Sequence, residues 1–266
     1  MSIRLPRHTV LAVMAAMALT VPACGGGSSG PTTPTSPSPS PIPGGACGAI
    51  GTAIVNGSDC TNTAAVVLVN MRDDSGPLGS CSGTVIAPRA VLTAAHCLAS
   101  GVTKVQIFLG TGPQIVATSF TAMPGYREDD PNALDVGVVL FGDDIGRTPI
   151  PLLTSRDARV GESAVIAGWG RNQDIAGATL RAGLTTITAV GSTQLQTQFS
   201  STNASVCLGD SGGPLLLSEA GTWAVAGVTS AVTNAVCNSG TDFYANIRNQ
   251  TIRSFVLGLA PNARQL

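Results

Sequence analysis

The sequence predicts an all-β fold of antiparallel barrels or a sandwich, and three observations carry that prediction. Strand-like residues come in short runs: AAVVLVN (64–70), GTVIA (83–87), AVLTA (90–94), TKVQIFL (103–109), DVGVVLF (135–141), SAVIAG (163–168) and WAVAGVTS (223–230). Turn formers separate them, including DDSG (73–76), PG (124–125), DD (143–144), GG (212–213) and NSG (238–240). Strands do not alternate with helices, which argues against a parallel sheet.

From the N-terminus, residues 1–23 read as a secretory signal. Arg4 and Arg7 precede a nearly continuous apolar run, Val10–Val21, and Ala23 is a small residue before Cys24. The run is too short to span a bilayer. Residues 24–46 follow as a Gly/Ser/Pro-rich linker with almost nothing to bury. At ~3 Å per residue it reaches on the order of 60 Å. The remaining 47–266, about 220 residues, suit one core of two sub-barrels or one α/β domain. Near the end, QTIRSFVLGL puts Ile252, Phe255, Val256 and Leu259 on one face of a short helix docked on the body.

Charge is sparse and balanced: 14 Lys+Arg against 15 Asp+Glu, a net of −1. With no basic run beyond the signal, nucleic acid is excluded as a partner class. With Cys24 set aside, Cys47, Cys60, Cys81, Cys97, Cys207 and Cys237 remain, an even number in an exported chain. That favours three disulfides over a metal site. Only one histidine, His96, follows the signal, so no metal and no cofactor are expected. REDD (127–130) lacks the ligand spacing of a calcium loop and reads as a solvated turn.

Ser211 stands in CLGDSGGP (207–214). A serine hydroxyl needs a base, a group to orient that base and donors for an oxyanion before it acts as a nucleophile. The G-x-S-x-G elbow of α/β-hydrolases is excluded by chain order, because it requires a histidine after the serine and none follows Ser211. The base must come from upstream, in VLTAAHC (91–97). Asp135 is a lone charge opening an apolar strand in NALDVGVVLF, and by itself it reads first as a strand-capping residue at a turn.

LTAAHC, DVGVVL, GWG (168–170), CLGDSGGP and the final helix occur in one order, and together they resemble the chymotrypsin/trypsin-like serine peptidases over roughly residues 54–260. The resemblance implies two antiparallel six-stranded β-barrels with the active site between them. It implies that Ser211 is the nucleophile, His96 the general base and Asp135 its orienting acid, with the backbone N–H groups of Gly209 and Ser211 as the oxyanion hole. It pairs Cys81 with Cys97 and Cys207 with Cys237, which leaves Cys47 and Cys60 for each other. The specificity pocket falls on Ser205, Ser230, Val232 and Asp242. Ser205 in place of an acid disfavours lysine or arginine, Val232 narrows the wall towards small or medium apolar residues, and Asp242 either attracts a basic side chain or faces solvent. Ile-Val-Asn-Gly (54–57) resembles an activation sequence, in which a freed Ile54 amine pairs with Asp210. Ala53 before it is not basic, so a trypsin-like activator is not expected.

The expected protein is thus a monomeric serine endopeptidase acting on proteins or peptides, either secreted or held outside the cytoplasm. A cysteine after a signal, followed by such a tether, resembles a bacterial lipoprotein, with lipid on Cys24 as the membrane anchor. The alternative is a catalytically silent peptidase-like binding or adhesion module, against which stands the presence of all three triad residues.

Overall fold

The computed structural model describes residues 58–59, 65–99, 101–130, 132–171, 179–234 and 236–266. Cys24, Cys47, Ile54 and Cys60 lie outside them.

Two antiparallel sheets make up the body. The first contains β2 (Val66–Arg72), β3 (Pro77–Ala87), β4 (Ala90–Thr93), β5 (Lys104–Phe108), β6 (Ile115–Val116), β7 (Ser119–Ala122) and β8 (Gly137–Leu140), in the order β6-β5-β2-β3-β4-β8-β7. The edge strands β6 and β7 are consecutive in the chain. Between them Ala117 N–H donates to Val105 O and Thr118 N–H to Leu140 O, so two residues carry the chain from one edge of the sheet to the other and curl it into a barrel.

The second sheet contains β1 (Ser58–Asp59), β9 (Ser163–Gly168), β10 (Arg181–Val190), β11 (Gln194–Gln198), β12 (Pro214–Glu219), β13 (Thr222–Val232) and β14 (Thr241–Asn246). Its order is β1-β10-β11-β14-β13-β12-β9, and β9 pairs again with β10, from Arg181↔Gly168 to Thr186↔Ser163, which closes the ring. Each sheet therefore holds six principal strands, as expected, plus one two-residue strand. Closure removes the unpaired edges through which antiparallel sheets otherwise associate.

All seven strand-like runs of the sequence fall on strands. β11 is less obvious: its QLQTQ is polar, yet only Leu195 and Thr197 point inward, and both are fully buried. β11 is a strand because β10 and β14 satisfy its backbone on both sides. The helix forms where expected, as α1 (Gln250–Leu259), with Ile252 and Val256 buried. Asn249 caps it, accepting from Thr251 N–H at 3.0 Å and Ile252 N–H at 3.2 Å. No helix among the described residues is long and apolar enough to cross a membrane.

Trp169, just after β9, ties the sheets together. Its indole Nε1–H donates to Val66 O on β2 at 3.1 Å, and its ring meets Phe108 of β5 edge-on at 5.9 Å.

Candidate active site

The first sheet supplies His96 and Asp135. β4 runs into a single 3-10 turn, His96–Leu98, and Asp135 stands just before β8, the neighbour of β4. Asp135 grips the histidine twice. Oδ1 accepts the His96 backbone N–H at 3.0 Å, and Oδ2 lies 2.7 Å from Nδ1. An ionised carboxylate can only accept, so Nδ1 carries the proton and Nε2 is left with its lone pair. Asp135 is 2% exposed, and a buried charge needs such partners. A third donor comes from the second sheet, where Ser230 Oγ–H reaches Oδ2 at 2.7 Å. Ser230 stands at the pocket wall by sequence, but its hydroxyl serves the acid.

Ser211 sits on the loop between β11 and β12, half-buried, and the loop packs on the histidine turn. Ser82 N–H, on β3, donates to Ser211 O at 2.7 Å, and Sγ of Cys97 lies 4.0 Å from the same oxygen. Gly212 has φ +81°, and a Cβ there would collide with Thr93 Oγ1 and Ser82 O and lie 2.8 Å from Ala94 N. Glycine is therefore required at this close approach. The disulfide Cys81–Cys97 spans a Cα–Cα distance of 6.3 Å and ties β3 to the residue after His96. Cys207–Cys237 joins the nucleophile loop to the segment before β14, at 5.2 Å. Both match the expected pairing. Cys81 and Cys97 lie close to His96, but their sulfurs are bonded to each other and offer no thiolate to a metal.

Gly209 has φ +97°, a conformation that favours glycine. Among the described residues, neither the Gly209 nor the Ser211 N–H donates to a protein acceptor. Asp210 between them turns inward. Its Oδ1 accepts Gly170 N–H and its Oδ2 accepts Cys207 N–H, both at 2.8 Å. Burial pushes its carboxyl up to about 7 despite those bonds. Gly168 and Gly170 of the GWG segment are open to it: a Cβ on either would strike the Asp210 carboxylate.

Ser205 and Asp242 meet directly. Ser205 Oγ–H donates to Asp242 Oδ1 at 2.8 Å, and Thr197 Oγ1–H reaches Oδ2 at 3.2 Å. Asp242 is fully buried, which rules out the solvent-facing alternative. Burial raises its carboxyl to about 6. Val232, two residues beyond Ser230, is half-buried.

A cavity of about 260 Å³ opens beside His96 and Asp135, lined by Tyr126, Glu128, Asp130, Gln194 and Ala231. Burial, then the charges of Asp135 and Glu128, push the Tyr126 phenol up. REDD is exposed as expected, with Arg127 paired to Asp129 at 2.8 Å, but it also contributes to this cavity wall. No sequence pattern pointed to Tyr126, Ser82 or Gln194; Thr93 lies within LTAAHC, where no role was expected of it.

This geometry agrees with the comparison to known families, in which the Trypsin model matches residues 54–253. The chain belongs to the trypsin family. Among solved structures, this trypsin-family chain is similar to an HL collagenase, at 20% sequence identity and a TM-score of 0.66 over 77% of this chain and 98% of that one. That likeness speaks for the fold. No curated protein matches the sequence.

Proposed function

We propose that this trypsin-family chain is an active serine endopeptidase that cleaves through an acyl-enzyme. The observation that carries this reading is the double grip of Asp135 on His96, which fixes both the ring and its tautomer. Nε2 takes the Ser211 proton as Oγ attacks the scissile carbonyl, and the imidazolium that forms is stabilised by Asp135. The Gly209 and Ser211 N–H groups receive the charge that develops on the carbonyl oxygen. The imidazolium then returns its proton to the leaving amine, and water repeats the sequence on the acyl-enzyme.

The substrate side chain is read by Ser205, Val232 and Asp242. Asp242 is engaged by Ser205 and Thr197, which supports its role as an internal acid; the preference for small or medium apolar residues rests on Val232 in the wall and Ser205 in place of an acid. Cleavage before Ile54 supplies an amine for Asp210, which meets no cation within hydrogen-bonding distance among the described residues. Disulfides and family membership suit an exported protein. Residues 1–23 direct export, residues 24–46 tether the 47–266 peptidase domain through lipid on Cys24, and Cys47–Cys60 keeps the tether attached after cleavage at Ile54.

Fluorophosphonate labelling of the purified protein, with the adduct and the N-terminus mapped by mass spectrometry, tests the reading. Label on Ser211 in chains beginning at Ile54 is the expected result. Absence of label in cut and uncut chains overturns it in favour of a silent binding module. A panel of peptide substrates tests the pocket, and a strong preference for arginine refutes the apolar assignment.

A further inference from the structure

Two peptides meet at Gly209: the one before it is anchored through its carbonyl, and the one after it on both sides, with one anchor from a side chain outside the motif. The Leu208–Gly209 peptide is held by Arg171 N–H donating to Leu208 O at 2.8 Å. In a trans peptide the N–H points opposite the C=O, so this bond aims the Gly209 N–H away from Arg171. The next peptide, Gly209–Asp210, has its N–H on Cys207 O at 3.0 Å. Its carbonyl, Gly209 O, accepts the Ser82 hydroxyl at 2.9 Å. Glycine is the residue freest to rotate, and here its ψ is restrained by that hydroxyl together with the Asp210 N–H bond to Cys207 O.

Ser82 is itself held without slack. It is fully buried, and its Oγ accepts Trp169 N–H at 2.8 Å. Its backbone N–H goes to Ser211 O at 2.7 Å, and its carbonyl accepts Thr93 Oγ1–H at 2.8 Å. A hydroxyl has one proton to give, and with Trp169 N–H donating to it, that proton goes to Gly209 O. The second-sheet chain closes tightly around it: a Cβ on Gly168 would lie 2.8 Å from Ser82 Oγ, and one on Gly213 would lie 3.3 Å from Ser82 Cβ. One residue of the first sheet, through its hydroxyl to Gly209 and its backbone N–H to Ser211, thus links both donor-bearing residues of the nucleophile loop to the end of β9.

We propose that Ser82 is a positioning residue of the oxyanion site, its hydroxyl steadying the Gly209–Asp210 peptide and so the Gly209–Ser211 backbone that carries both oxyanion donors. This rests on the peptidase reading above. Losing an oxyanion donor outright costs about 10²–10³ in rate, so a donor kept but left free to turn costs less, about 10- to 100-fold.

The test compares the full-length wild type with Ser82→Ala and Ser82→Cys. Rates are taken per active site titrated with fluorophosphonate, so that misfolded chains do not count. Ki is measured for a peptide boronate, whose oxygen occupies the oxyanion position, and for a matched peptide lacking the electrophile. For Ser82→Ala, kcat falls about 10- to 100-fold with KM within about threefold. The boronate weakens by a similar factor and the plain peptide does not. Ser82→Cys, a weaker donor of similar shape, falls between, and it carries the same comparison where Ser82→Ala fails to accumulate. A kcat per site within about twofold of wild type, or equal weakening of both ligands, overturns the proposal. A wild type that neither labels nor hydrolyses overturns the peptidase reading, and this proposal with it.

Discussion

Ser230 on β13 and His96 beside β4 bind the same oxygen, Asp135 Oδ2, each at 2.7 Å. The acid comes from one sheet and is held in part by the other. A net hydrogen bond to a charged group is worth about 1.5–3 kcal/mol. Ser230→Ala therefore lowers kcat/KM about tenfold, because the two bonds from His96 remain. Asp135→Asn lowers kcat about 10⁴-fold, since an amide at this place stabilises the wrong tautomer. Steady-state kinetics on one chromogenic ester check both.

Gly212→Ala is expected to cost about 3 kcal/mol or more, because the new methyl meets backbone at a positive φ. Gly146→Ala is the matched control. Its φ is +71° and nothing lies within 4 Å of its added Cβ, so only the conformational cost of about 1–2 kcal/mol applies. Urea unfolding of the two variants measures the difference.

Before any cleavage at Ile54, Asp242 and Asp210 both have carboxyls raised by burial, to about 6 and about 7. The native state therefore holds protons that the unfolded chain has released by about pH 4. These groups stabilise the fold fully below that pH, and their contribution is lost as pH rises through 6 and 7. Asp242→Asn removes one of the two titrations. Its unfolding free energy falls less steeply than that of the wild type between about pH 4 and 6.5, as urea titrations across that range will show. An unchanged slope refutes the assignment.

Cys81→Ser with Cys97→Ser removes a crosslink of sequence separation 16. The chain-entropy cost is about 3 kcal/mol for a loop of this size. Because Cys81 precedes Ser82 and Cys97 follows His96, activity per titrated site falls as well as the melting temperature. Calorimetry paired with active-site titration separates the two effects.

Much of this was legible in the sequence because it is local. The seven apolar runs mark strands, and QTIRSFVLGL marks α1 to the residue. LTAAHC and GDSGGP carry enough pattern to single out His96 and Ser211. Asp135 was ambiguous until its motif was read with the others, since a lone aspartate before a strand has several uses. β10, β11 and β14 escaped because their pairing partners, rather than their own alternation, make them strands. Ser82 escaped for the same reason at the level of a single atom: its hydroxyl serves a carbonyl 127 residues away. Asp242 could be placed only as a wall residue, because whether a carboxylate faces solvent or a serine is decided by packing.

Trp169 has one further consequence. It is one of only two tryptophans in the chain, the other being Trp223. Its indole is 4% exposed and its N–H is bonded across to the first sheet. Undocking the barrels would wet that ring and free that N–H, whatever happened inside either barrel. The protein thus carries its own optical gauge of barrel docking. Near-ultraviolet dichroism or fluorescence of a Trp223→Phe variant would follow assembly of the site directly, with no substrate present.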